Sequence, residues 1–140
     1  MTEYKKMKTE DVFADIEKIM GSELPDDEKS MVLRKKGAAA YENEDDPAAA
    51  AYYDEAIALG LIETEMLPEV LFRCGVSFAK LDEKKSFDFL KRAAELGHVK
   101  AMLNLAVCYQ KGTGVSKNEK ECYKWALAAA DAGDIEAMYI

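Results

Sequence analysis

One histidine, one tryptophan, three cysteines and three prolines in 140 residues leave little from which a reactive centre could be assembled. His98 is the only imidazole. It follows the helix-stopping Gly97, where a cap or turn role is the expectation, and no Cys-His or Ser-His-Asp set recurs at a recognisable spacing around it. Cys74, Cys108 and Cys122 are odd in number and lack zinc-ligand spacing, so free, partly buried thiols are expected rather than a disulfide framework. No run approaches the roughly 18 apolar residues of a membrane span, and the opening Met1-Thr-Glu-Tyr-Lys-Lys-Met-Lys8 lacks an apolar signal core. A cytoplasmic chain without a membrane partner is the expectation.

Positive charge is scarce in the first half. Residues 1–70 carry 8 basic and 18 acidic side chains, whereas 71–140 carry 11 and 9. A nucleic acid would find no basic stripe there, and a protein partner is the better match to such polarity. The acids Glu42, Glu44, Asp45 and Asp46 lack the alternating ligands and the glycine of a calcium loop, so a solvated turn is expected and no metal. Gly112-Thr-Gly114 has neither the following Lys-Ser/Thr nor the preceding strand of a phosphate loop, and as an interhelical loop its glycines supply positive φ. No cofactor is indicated.

What the chain does have is repetition. Ala93, Ala94, Gly97 and Ala101 return 36 residues later as Ala129, Ala130, Gly133 and Ala137, and a weaker copy ends at Gly60. A period of this size marks stacked helical hairpins, each unable to bury its apolar face alone. Helix pairs are predicted over about 27–42 with 47–59, 67–80 with 83–96, and 99–111 with 118–132. Second helices are expected to end at Gly60, Gly97 and Gly133. Gly37, Gly75 and Ala106 on first helices, facing Tyr53, Phe89, Leu90, Tyr109 and Trp125, predict close ridge-into-groove packing. Before the repeats, Thr9 is expected to cap a helix with Val12, Phe13, Ile16, Ile19 and Met20 on one apolar face and Gly21 as its stop. The domain reading is a capping helix and connector over 1–24, then a repeat domain over 25–140 with units at about 27–60, 66–97 and 98–133 and a partial one at 134–140.

The run Ala101-Met-Leu-Asn-Leu-Ala-Val-Cys-Tyr109, the loop Gly112-Thr-Gly-Val115, and then Asn118, Trp125, Ala129-Ala130 and Gly133 closely resemble the Sel-like repeat, a branch of the tetratricopeptide repeats. The second unit keeps Gly75, Phe78, Phe89 and Gly97 but lacks the Gly-x-Gly-Val loop, and the first looks like a generic tetratricopeptide.

The resemblance implies an all-α, right-handed α-solenoid of antiparallel helix pairs whose first helices line a concave face. On that face it places Arg34 and Tyr41, then Phe72, Arg73 and Val76, then Lys100, Leu103, Asn104, Val107 and Gln110. Arg34, Arg73, Lys100 and Asn104 resemble part of a carboxylate clamp for a peptide C-terminus, with Ala38 where the clamp has asparagine. The plainer alternative is a set of cations that solvate a helix face. The function implied is non-catalytic binding of a protein or extended peptide. Two alternatives stand beside it: the β-lactam binding or hydrolysis associated with some secreted Sel-like proteins, and a structural fragment that self-associates through an uncovered C-terminal edge.

Overall fold

The structure is a computed structural model that describes residues 3–133; the partial unit expected at 134–140 lies outside the described residues. Seven α-helices and no strand occur among them: α1 Thr9–Met20, α2 Asp26–Glu42, α3 Asp46–Leu59, α4 Leu67–Phe78, α5 Glu83–Glu95, α6 Val99–Lys111 and α7 Glu119–Asp131. The all-α helical-repeat class expected from the periodicity is thus observed. The chain divides into two compact units, Met1–Met66 and Leu67–Ile140.

In the first unit α2 and α3 form an antiparallel pair, with α1 against both. The pair closes tightly because Gly37 has no side chain: a Cβ there would stand 2.8 Å from Tyr53 Cδ1, and Tyr53 is buried. Leu33, Ala40, Ala49 and Ala56 fill the remaining space. Val12, Ile16 and Ile19 anchor α1, but Phe13 is 56% exposed, so it does not join the apolar face predicted for it. Nor does Thr9 cap the helix. Lys8 holds the cap position, and Thr9 is the first helical residue.

The second unit contains two hairpins, α4–α5 and α6–α7, joined through α5 and α6. Gly75 repeats the device of Gly37, since a Cβ would meet Leu90 Cγ at 2.8 Å, and the buried Ser86 hydroxyl donates to the Gly75 carbonyl at 2.7 Å. Phe87 meets Tyr109 edge to face at 5.4 Å, and Phe78 stacks with Phe89 at 5.8 Å. Burial of a side chain such as Leu71 or Leu105, both wholly enclosed, contributes about 1.5–3 kcal/mol each.

The helix starts in this unit are specified locally. Asp82, His98 and Asn118 each sit at a cap in extended backbone, and each side chain accepts the amide hydrogen three residues on, from Lys85, Ala101 and Glu121. Gly60, Gly97 and Gly133 all have positive φ, as expected for the ends of the second helices.

Candidate peptide-binding face

Four of the residues expected on a binding face sit on one side of α6, because Lys100, Leu103, Asn104 and Val107 follow the i, i+3, i+4, i+7 spacing of a helix. Lys100 is exposed, while the other three are half-buried. Gln110 is exposed one turn further on and lines a hollow of about 400 Å³ with Tyr109, Lys117, Cys122, Tyr123 and Ala126.

Where α4 meets the start of α6, the structure assembles a cluster that sequence reasoning reached only in part. Glu69 accepts from Arg73 Nε at 2.8 Å on its own helix, and its other oxygen lies 2.7 Å from His98 Nε2. His98 Nδ1 accepts the Ala101 amide hydrogen, so its lone pair is occupied and the proton resides on Nε2, which donates to Glu69. Partial burial would raise the Glu69 pKa, but the hydrogen bonds from His98 and Arg73 and the charge of Arg73 outweigh it and hold this carboxyl below its usual value. Phe72 is buried, its ring stacked on His98 with centroids 4.4 Å apart. It therefore supports the cluster from beneath and is not the open apolar contact expected of it. Val76, one turn beyond, is half-buried. Glu69 was missed because an acid in a first helical turn reads as ordinary macrodipole compensation. His98 was read as a cap, which it is, but its second nitrogen gives it a further bond across to α4.

Arg34 and Tyr41 belong to α2 of the first unit, and both are half-buried. Arg34 lines a hollow of about 190 Å³ with Met31, Leu61, Met66, Asp27 and Glu63. Exposed Met31, Leu61 and Met66 give that hollow an apolar rim.

The expected solvated turn after α2 is not what is found at Asp45. This carboxylate is only 2% exposed, and its Oδ2 accepts from the Tyr4 hydroxyl at 2.7 Å and from the Met7 amide at 3.0 Å. The N-terminal residues close over the turn, a contact 41 residues apart in sequence that no local pattern announces. Close by, Asp15 accepts from Tyr52 at 2.5 Å and from Lys36 at 2.7 Å. These bonds override the opposing effect of burial and place Asp15 below the usual carboxylate range.

Gly112 and Gly114 have φ of +75° and +72°, in keeping with the loop reading. The three cysteines are free thiols. No helix among the described residues is long and apolar enough to cross a membrane.

The Sel1 repeat family model matches residues 71–98 and 99–134, the two hairpins of the second unit. Chitin synthase regulatory factor 2 of Schizosaccharomyces pombe is 32% identical over 80 residues, covering 57% of this chain and 16% of that protein. The cytochrome c oxidase assembly factor 7 homolog of Drosophila melanogaster is 42% identical over 53 residues, 38% of this chain and 20% of that protein. The chain thus spans a fifth or less of these curated relatives. A Sel1 repeat protein from Oxalobacter formigenes of known crystal structure matches with a TM-score of 0.59 at 25% identity, over 93% of each chain.

Proposed function

We propose that this chain, whose residues 71–134 match two Sel1 repeats and whose fold resembles that of a solved Sel1 repeat protein, is a non-catalytic protein-interaction module of the Sel-like repeat kind that takes an extended peptide or protein segment along α4 and α6. The observation that carries this reading is the juxtaposition of two chemistries on those helices. Half-buried Val76, Leu103 and Val107 offer apolar contact. Beside them, Glu69, Arg73 and His98 hold one another in fixed geometry, so a polar group arriving there meets donors and acceptors that need little ordering. Lys100 and Asn104 add a cation and an amide on α6. Relatives described as a regulatory factor and an assembly factor support a role in recognition over one in catalysis, and the acidic first half favours a protein partner over nucleic acid.

The test is quantitative capture from the source cell, followed by affinity measurements on the protein identified, with the parent beside Arg73→Ala and Lys100→Ala. Loss of a charge-assisted contact weakens binding by about tenfold or more. Unchanged affinity in both variants rejects the face.

A second reading, self-association, is favoured by one comparison inside the repeat. Phe87 is 5% exposed, covered by Tyr109, and a Cβ on Gly114 would touch its Cβ at 2.9 Å; Tyr123, its counterpart 36 residues later, is 70% exposed beside the 400 Å³ hollow. A second copy seated there makes the sedimentation coefficient rise with concentration, and Tyr123→Asp abolishes the rise. A coefficient independent of concentration removes this reading.

A further inference from the structure

Residues 3–8 form no secondary structure, yet they are held at a defined place on the first unit. The hold is concentrated on one atom. Asp45 Oδ2 accepts both the Tyr4 hydroxyl and the Met7 main-chain amide, while the Met7 sulfur lies 3.6 Å from the Tyr52 hydroxyl on α3. Tyr52 is in turn fixed by Asp15 of α1. Neither Asp45 nor Tyr52 belongs to the segment they bind. Both are buried parts of the helical unit, and a carboxylate that is 2% exposed requires donors to offset its lost hydration. Charge is complementary as well: the segment carries exposed Lys5, Lys6 and Lys8, and the turn that Tyr4 and Met7 contact carries Glu42, Glu44, Asp45 and Asp46. A side-chain hydroxyl, a main-chain N–H and an apolar side chain read together along an extended backbone constitute a mode of peptide recognition.

We propose that Asp45, Tyr52 and their surroundings form a binding site for an extended basic peptide bearing a tyrosine three residues before a methionine, and that residues 3–8 occupy it as a tethered ligand. The site lies wholly in the first unit and is independent of the α4–α6 reading. Tethering to α1 at Thr9 gives the segment an effective concentration of about millimolar, so a peptide supplied by another protein competes only when it binds more tightly or when the segment is weakened. The segment is then a plug that sets the affinity threshold for partners of the same pattern.

The test uses the full chain and a labelled synthetic peptide of residues 3–8, with binding followed by fluorescence anisotropy. In the double variant Tyr4→Ala, Met7→Ala the internal competitor is weakened, and the peptide binds at least about tenfold more tightly than it does to the parent. Adding Asp45→Asn to that variant returns binding to the parent's level or below. Equal binding by parent and double variant, or indifference to Asp45→Asn, overturns the proposal. A measurement on the parent alone stands should the variants fold poorly. The Met7 amide exchanges its hydrogen about a hundredfold or more faster than the amides of Tyr52 and Tyr53, because a plug opens without unfolding α3. Exchange of Met7 at the same rate as those amides makes the segment an inseparable part of the unit and also overturns it.

Discussion

His98 lies face to face with Phe72, ring centroids 4.4 Å apart and planes inclined by 17°, while its two nitrogens serve different helices. Nδ1 caps α6 and Nε2 reaches Glu69 on α4. One side chain therefore ends one element and ties it to another. Replacement by alanine removes the cap, the stack and the bond together, whereas asparagine retains the cap. We expect His98→Ala to cost about 2 kcal/mol and His98→Asn about 1 kcal/mol, read from urea midpoints. Nitrogen NMR of the parent is expected to show the Nε2–H tautomer. The opposite tautomer is incompatible with the bond that Nδ1 accepts.

Gly114 and Gly60 share the same φ of +72° but not the same surroundings. A Cβ on Gly60 meets nothing within 4 Å, whereas one on Gly114 collides with the Glu83 carbonyl oxygen and approaches Phe87 Cβ at 2.9 Å. Conformational strain is common to both and the collision belongs to one. Gly60→Ala is expected to cost about 1 kcal/mol, and Gly114→Ala about 3 kcal/mol as strain and overpacking combine. Equal costs by chemical denaturation exclude the close approach of the loop to α5.

The contrast bears on what a sequence reveals. Gly37, Gly75 and the 36-residue spacing are local or periodic signals, and they lead directly to helix pairs with small residues facing Tyr53 and Leu90. Phe13 misled because helical periodicity says which residues share a face but not how wide the covered stripe is; α1 buries Val12, Ile16 and Ile19 and leaves Phe13 outside. Asp45 misled for a different reason. Beside Glu42, Glu44 and Asp46 it looks like one more solvated acid, and only the return of Tyr4 and Met7 across the chain distinguishes it. Glu69 escaped notice in the same way, since its partner His98 is 29 residues distant. Periodic packing is written in spacing, while single polar contacts between distant segments are not.

Asp15 and Glu69 give the acid limb of the stability profile its sign. Both carboxyls are held below their usual values in the folded chain, despite burial, by hydrogen bonds from Lys36 and Tyr52 in one case and from His98 and Arg73 in the other. A depressed folded pKa means that the unfolded chain takes up the proton first. The stabilisation is complete above the ordinary carboxylate pKa and is lost as pH falls through the lower folded values. Asp15→Asn should flatten this acid limb while lowering stability near neutrality, measured as the urea midpoint at a series of pH values from neutral downward. An unchanged slope argues that Asp15 is not ionically bound in solution.

Tyr4 supplies the corresponding alkaline prediction. Burial first, then the hydrogen bond to Asp45 and the charge of that carboxylate, push its phenol up from 10.0 to about 12. Here the folded state keeps the proton longer than the unfolded chain does. The contribution of the Tyr4 to Asp45 bond is therefore complete below the ordinary tyrosine pKa and disappears as pH rises through about 12. Phenolate absorbance isolates the group: subtracting the titration of Tyr4→Phe from that of the parent leaves a single step, expected near 12. Asp45→Asn removes the acceptor charge and brings the step down toward 10.0 without deleting the chromophore. A difference step already at the ordinary value in the parent means that Tyr4 stands in water, and the N-terminal segment is then not seated on Asp45.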